Sequence, residues 1–310
     1  MRPSEEHTVR SGGKQPGGAS IPGAWPIMVK AHNEEKRIVA NLDSIFEANP
    51  GRSFNVFVMA NACSDRTEEI VHEYGKTHEG VNVVSIKLGC YCNAWNVFIH
   101  HIVPTYAPDS DVYFFIDGDC RAFPGSFDVL SNALAHDQNA NAAGSAPMSG
   151  RTRDADTRLM LQNRSFYANL YALKGRFVRE LHSKAVRLPV KFEGDDGLIG
   201  ALVKWDLDPK TEWRHDRIVQ CPQAGFLFDP VSPWDRHAWK PYFRRLVRYG
   251  RRRYEFELLG PRLKKMGLQG IPEHVTELYR DSGRLKLRWQ GIYTLTNLIA
   301  LAQLRKYAQS

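Results

Sequence analysis

The sharpest chemical feature of the chain is Phe115-Ile116-Asp117-Gly118-Asp119-Cys120. Two carboxylates separated by one glycine follow directly on an apolar run, and Gly118 permits an unusual backbone path that turns both toward one point. Hard divalent ions such as Mg²⁺ or Mn²⁺ take oxygen ligands, often one or two carboxylates together with substrate phosphates. The competing reading is a solvated Asp-Gly-Asp turn. A second acidic cluster is Glu193-Gly194-Asp195-Asp196-Gly197. Its adjacent acids precede Leu198, Ile199 and Leu202, so they suit a helix N-terminus, where the dipole favours negative charge. They equally suit a general base, because a carboxylate can take the proton of an attacking hydroxyl. Two more polar clusters, Asn33-Glu34-Glu35 and Asn61 to Thr67, close apolar runs. Asp65 could accept from a nucleobase N–H, and each cluster also fits a strand-to-helix cap.

These clusters need elements to hold them. Residues 26–31 form a short apolar run that predicts a strand, and 36–48 shows helical spacing with Ile38, Leu42, Ile45 and Phe46 on one face. Further strands are expected over 55–60, 81–86 and 111–116, with helices after Thr67 and over 94–103. Such alternation means βαβ units and a mostly parallel sheet covered on both faces, with chemistry gathered beyond the carboxyl ends of the strands. The first, second and fourth strands each run straight into a polar cluster, which marks a ligand-binding edge. Past Ala122 the pattern predicts a helix over 125–135, a strand over 142–146 and an interrupted helix over 158–181. An acidic turn with an amphipathic helix follows over 192–203, and the chain closes with an apolar helix over 292–304.

The 310 residues are 43% hydrophobic and 25% charged, which excludes a wholly disordered chain, a collagen-like repeat and a polytopic membrane protein. Five cysteines without a regular framework indicate a reducing compartment. Cys90 and Cys92 with His100 and His101 match no standard zinc spacing. Residues 1–23, rich in Gly, Pro, Ser and charge, read as a disordered leader rather than a signal peptide or anchor. No apolar run approaches the roughly 18–20 residues that span a bilayer, so a cytoplasmic protein, or one peripheral on the inner face of the membrane, is expected. Charge is uneven. Residues 236–310 hold 17 Lys or Arg against 5 Asp or Glu, a local +12, whereas residues 1–235 hold 25 against 29, or −4.

Taken together, Ala31-His32-Asn33-Glu34-Glu35-Lys36, Asn61 to Thr67, Asn93-Ala94-Trp95-Asn96, Ile116 to Asp119 and Glu193 to Asp196 resemble the family-2-type inverting glycosyltransferases over roughly residues 25–260. The resemblance implies an α/β GT-A fold: a Rossmann-like, nucleotide-binding, mostly parallel sheet flanked by helices, here with a basic helical C-terminal region. It implies transfer of a sugar from a nucleoside diphosphate sugar of UDP or GDP type to a hydroxyl acceptor, with Mn²⁺ or Mg²⁺. Ala31, His32, Asn33 and Glu35 would line the nucleoside pocket with Asn61 and Asn96, and Asp65 would meet the base. Asp117 and Gly118 would face the ribose or sugar, and Asp119, with Asp117, would bind the metal. Asp196 would be the catalytic base, with Asp195 beside it. His237, between Trp234 and Trp239, could complete the metal shell, or be an ordinary surface or core histidine.

Two departures from the family pattern stand out. The Gly-Lys that often precedes the Ala-x-Asn segment is replaced by Gly89-Cys90-Tyr91-Cys92, so diphosphate contacts must come from elsewhere. The Gln-x-x-Arg-Trp of processive members is absent, with Tyr249-Gly250-Arg251-Arg252-Arg253-Tyr254 in its approximate place, which favours addition of a single sugar.

The expected organisation is a leader over 1–23, a catalytic domain over 24–235 and a basic region over 236–310. The catalytic domain divides into a nucleotide-sugar half over 24–122 and an acceptor half over 123–235. The basic region, rich in Trp, Tyr and Phe, suits an anionic membrane surface or a diphosphate clamp. Nucleic acid is disfavoured because no recognised nucleic-acid module accompanies the charge. The last helix would pack on the body, self-associate or sit at an interface. Acceptors could be saccharide, lipid-linked or small molecules. Two rivals remain. A sugar-phosphate nucleotidyltransferase would need a glycine-rich triphosphate loop, and residues 25–37 contain no glycine. A non-catalytic binding subunit with the same sheet would tolerate loss of Asp119 and Asp196.

Overall fold

A computed structural model describes residues 2–11, 20–229 and 239–308. The chain divides into two compact units, Met1–Val186 with Trp213–Asp229, and Arg187–Glu212 with Pro230–Ser310. These divisions differ from the expected boundary at 235/236, because residues 187–212 group with the C-terminal region.

The first unit runs β1 (His7–Ser11), β2 (Trp25–Ala31), α1 (Ile38–Ala48), β3 (Phe54–Asn61), α2 (Thr67–Thr77), β4 (Val81–Ile86), α3 (Tyr91–Val97), α4 (Val103–Tyr106), β5 (Val112–Asp117), β6 (Cys120–Ala122), α5 (Ser126–His136), β7 (Ala142–Pro147), α6 (Arg153–Asn163), β8 (Leu170–Lys174), α7 (Gly175–Ser183) and, after the excursion into the second unit, β9 (Ile218–Phe228). The strands form one sheet in the order β1-β4-β3-β2-β5-β8-β7-β9-β6. Its central four, β4-β3-β2-β5, run parallel. They are buried on both faces because their apolar residues do not alternate with polar ones. Helix α1 buries Ile38, Leu42 and Ile45 in the core with Val29, Phe54 and Phe127.

Three expectations change. Residues 7–11 fall within the expected leader yet form an edge strand antiparallel to β4. Backbone pairing at an edge needs no apolar run, so composition did not reveal it. The helix expected over 158–181 is split: Leu170–Lys174 is a strand between β5 and β7. Its Leu170, Tyr171, Ala172 and Leu173 are buried on both faces, a short apolar run that periodicity alone does not separate from a helix. Strand β9 was not anticipated. Pro222 and Gly225 interrupt its sequence, and the β7 pairing accommodates them by jumping register from Ser145↔Cys221 to Ala146↔Gly225. A bulge is where a strand tolerates proline.

The second unit holds α8 (Asp195–Lys204), α9 (Trp239–Met266), α10 (Thr276–Tyr279) and α11 (Thr294–Tyr307). Helix α11 buries Thr296, Asn297, Ala300, Leu301 and Leu304. It approaches α9 so closely that a Cβ on Gly250 would stand 3.0 Å from that of Ala300. Among the described residues no helix is long and apolar enough to cross a membrane.

Candidate functional site

Strands β2 and β5 lie side by side with Lys30 opposite Asp117. Lys30 is buried, and its Nζ sits 3.0 Å from Asp117 Oδ1. Asn169 Nδ2 donates to the other oxygen, Oδ2, at 3.1 Å. The Asp-Gly-Asp turn is held from two sides. Gly118 N donates to Lys30 O at 2.8 Å, and Asn41 Nδ2, on α1, donates to the carbonyls of Asp117 at 3.0 Å and Cys120 at 2.5 Å. Gly118 does not take a left-handed conformation, so the unusual path expected of it is not its role. It supplies room: a Cβ there would stand 3.0 Å from Lys30 O and 3.2 Å from Ala31 Cβ. Asp119 is exposed, with Oδ1 3.5 Å from the Cys120 thiol. Burial pushes that thiol far above the ordinary cysteine range, so it stays protonated and inert.

The loops after β2 and β3 close the same edge. Asn33 and Ala62 both adopt left-handed backbone, with φ of 59° and 52°. Such residues cost of order 1 kcal/mol or more and persist only where the surroundings over-determine them. Here Asn33 Oδ1 accepts from Ser64 N at 2.8 Å, and His32 Nδ1 donates to Asn61 O at 2.7 Å. Asp65 ties the loops together, accepting from Glu35 N at 3.0 Å, Thr67 N at 3.0 Å and Thr67 Oγ1 at 2.6 Å. Partial burial works against its charge, but these bonds outweigh it and hold the carboxyl below the usual aspartate range. Asn61 Oδ1 accepts from Cys90 N at 2.8 Å. Beside this turn Glu34 pairs with Arg37 at 2.8 Å. Burial pushes the Glu34 carboxyl up in spite of that guanidinium, and the Asp119 charge adds to the rise.

In the second unit, α9 grips the acidic loop. Glu255 is fully buried, and its carboxylate accepts from Glu193 N at 2.8 Å and from the Tyr279 hydroxyl at 2.6 Å. Desolvation pushes its carboxyl up. Arg251 Nη1 lies 3.3 Å from Glu193 Oε1. Arg252 holds Asp196 with two nitrogens, Nη2 to Oδ1 at 2.7 Å and Nη1 to Oδ2 at 3.1 Å. Gly194 and Gly197 lie against Phe256 so tightly that Cβ atoms there would meet its ring at 2.4 and 2.8 Å. Part of the basic region is therefore spent on holding Glu193 to Gly197.

Of the residues singled out from the sequence, Ala31, His32, Asn33, Glu35, Asn61, Asp65, Asp117, Gly118 and Asp119 gather at the carboxyl ends of β2, β3 and β5. Asn96 is buried within α3. Asp195 and Asp196 open α8 in the second unit. His237 lies outside the described residues. Sequence reasoning passed over Lys30 and Asn169, and met Arg252 only within Tyr249 to Tyr254, without its link to Asp196. Only Lys30 carried a signal, a cation inside an otherwise apolar strand. The other two meet their partners across 52 and 56 residues of chain.

Among the described residues no three His, Cys, Asp or Glu side chains gather into a metal-binding group. The donor chemistry nonetheless fits a hard divalent ion of the kind held mainly by substrate phosphates and water: Asp119 offers an exposed carboxylate, while both Asp117 oxygens already have partners.

No curated protein matches the sequence. Among solved structures, the mannosyltransferase PcManGT from Pyrobaculum calidifontis, in complex with GDP-Man and Mn²⁺, is 19% identical, with a TM-score of 0.52 over 96% of this chain and 87% of that one. TarS 1–349 from S. aureus, in complex with UDP-GlcNAc, is 11% identical, with a TM-score of 0.51 over 92% of this chain and 81% of that one. At such identities the likeness is one of fold, the GT-A fold. The family model described as glycosyl transferase family 2 matches residues 27–190, which is more than half of the chain and runs from within β2 past β8, with the whole carboxylate edge. The chain belongs to glycosyl transferase family 2, and it is a glycosyltransferase.

Proposed function

We propose that the protein transfers one sugar from a nucleoside diphosphate sugar, of UDP or GDP type, to a hydroxyl acceptor with inversion. The observation that carries this reading is the Asp117-Gly118-Asp119 turn, clamped by Asn41, Lys30 and Asn169 at the carboxyl ends of parallel strands. The GDP-Man and UDP-GlcNAc bound by the two GT-A neighbours support a donor of this class. Asp117 receives a hydroxyl of the donor ribose or sugar, and His32, Asn33 and Glu35 flank the nucleoside. Asp119 would hold Mn²⁺ or Mg²⁺, which when bound supplies positive charge against the donor diphosphate.

Asp196 is the general base. Its Oδ1 already accepts from Gly197 N at 2.7 Å and from Arg252 Nη2, whereas Oδ2 accepts from Arg252 Nη1. A carboxylate has about four acceptor sites, so Oδ2 keeps one for the acceptor hydroxyl. Oδ2 takes that proton, the acceptor oxygen bonds to the anomeric carbon, and the pair of the breaking C–O bond leaves on the diphosphate. A single displacement of this kind inverts the centre. The exposed Tyr242, Phe243 and Tyr249 among Arg244, Arg245 and Arg248 on α9 suit contact with an anionic membrane surface presenting a lipid-linked acceptor.

A thermal-shift panel of nucleoside diphosphates and their sugars, with and without Mn²⁺, tests the donor assignment. A ligand at 100 times its Kd should add roughly 2.7 kcal/mol of stability. No Mn²⁺-dependent rise with any of them would sink the proposal, and release of pyrophosphate on turnover would favour nucleotidyl transfer instead.

A further inference from the structure

Four residues on one face of α9, Arg251, Arg252, Glu255 and Phe256, all meet the segment 193–197. Three of them act on side chains or fill space: Arg251 reaches the Glu193 carboxylate, Arg252 reaches Asp196, and Phe256 covers Gly194 and Gly197. Glu255 instead touches backbone, because its Oε2 accepts from Glu193 N at 2.8 Å. Helix α8 begins after Gly194, which has no side chain to cap it. Glu255 supplies a hold from another helix, on the amide one residue earlier. Its own carboxylate is fully buried and fixed at the other oxygen, where the Tyr279 hydroxyl donates at 2.6 Å and Arg251 Nη2 lies 3.6 Å away. Arg251 Nη2 also donates to the Tyr279 oxygen at 3.3 Å. A buried carboxylate is costly, and this cluster sets two, Glu193 and Glu255, against the one guanidinium of Arg251. Charge pairing gives no reason for the second acid, whereas its bond to the Glu193 amide does.

We propose that Glu255 is a positioning residue for the transfer: through the Glu193 amide it fixes where α8 starts, and so where Asp196 meets Arg252 and presents Oδ2. The inference rests on the reading of Asp196 as the base, but its first test needs no substrate. The hold depends on hydrogen-bond geometry more than on charge. A glutamine in this place can still accept from Glu193 N with its oxygen and donate to the Tyr279 oxygen with its nitrogen. A leucine of similar size can do neither, and it leaves the Glu193 N–H without its acceptor.

That test is amide hydrogen exchange of the peptides covering residues 190–200 in the full chain. In Glu255→Leu they are expected to exchange about tenfold faster, and in Glu255→Gln to return most of the way to the native rate. The second test is release of GDP from GDP-Man and of UDP from UDP-GlcNAc with Mn²⁺, the donors bound by the two GT-A neighbours. Water is the acceptor: its oxygen bonds to the anomeric carbon, its proton goes to Asp196, and the nucleoside diphosphate leaves. Glu255→Leu is expected to lower kcat about tenfold with donor KM unchanged, and Glu255→Gln to recover most of that loss. Added to Arg252→Lys, Glu255→Leu is expected to cost only about twofold more, because both act on one carboxylate. A merely structural role would add in full, and that result would overturn the proposal. So would a folded Glu255→Leu with native exchange or native kcat, or a Glu255→Gln as impaired as the leucine variant. If Glu255→Leu does not fold, Tyr279→Phe decides, since it removes only a hydroxyl: faster exchange over 190–200 is expected, and an unchanged rate would refute the hold. Native turnover by Asp196→Asn would count against the base reading itself. A native chain that releases neither nucleotide would count against the donor reading, with the exchange comparison still deciding whether Glu255 holds the loop.

Discussion

Arg252 grips Asp196 in a two-point contact, 2.7 and 3.1 Å, from the middle of a helix 56 residues further along the chain. Such fork-on-carboxylate geometry fixes the plane of the carboxylate and not merely its charge. The pair is about one-third and one-quarter exposed, so its worth to stability is modest. On the proposed reading of Asp196 as the base, the contact aims Oδ2.

Arg252→Lys is expected to lower kcat by about 10- to 100-fold with KM for the donor unchanged, because a point charge cannot reproduce the two-point contact. Asp196→Asn should cost more, about 10²- to 10⁴-fold, the usual worth of a general base. Steady-state kinetics on variants with unaltered melting temperature check both. Equal losses for the two would mean that Arg252 does more than orient.

Gly118→Ala adds a methyl 3.0 Å from Lys30 O and 3.2 Å from Ala31 Cβ, against backbone that cannot yield cheaply. The turn must shift, so donor affinity should fall at least tenfold and stability by about 1–3 kcal/mol. Calorimetric titration with GDP and UDP plus Mn²⁺, beside a denaturant melt, measures the two effects. Asp119→Ala, at an exposed position, should lose the metal-dependent part of binding with stability intact.

The Asp65 carboxyl is held below its ordinary value by bonds from Thr67 and Glu35. For a depressed carboxyl, the stabilisation is fully present above the unfolded pKa of about 3.9 and is lost as pH falls through the lower folded value. The melting-temperature gap between the native chain and Asp65→Asn should therefore be constant from about pH 7 to 5 and close below about pH 4. A gap that instead widened on acidification would remove this account of the loop.

Helix α9 presents Tyr242, Phe243 and Tyr249 to solvent with Arg244, Arg245 and Arg248. Vesicles rich in phosphatidylglycerol should pull down the protein at low salt, phosphatidylcholine vesicles should not, and Arg244, Arg245 and Arg248 all changed to Glu should abolish it. Each basic residue near an anionic surface is worth about 1 kcal/mol. Equal sedimentation with both vesicle types would argue against an electrostatic surface.

What the sequence determined by itself was the local part. Apolar runs such as 55–60 and 111–116 make buried strands, and the polar residues that follow each of them are placed at a sheet edge by the topology alone. Hence Asn33, Asp65, Asp117 and Asp119 were legible as candidates. Strand β8 was not, because a four-residue apolar run between helices has no period of its own, and only β5 and β7 on either side make it a strand. Partnerships across the sheet were decided by tertiary structure. Lys30 meets Asp117 because β2 and β5 are neighbours in parallel register, and Asn169 meets it from the end of a loop 52 residues away. The +12 region shows the same limit. Its composition suggested phosphate or membrane, and the fold turns Arg251, Arg252 and Glu255 inward to hold the acidic loop. Charge counts are additive along a chain, whereas the pairing of charges depends on which helix faces which loop.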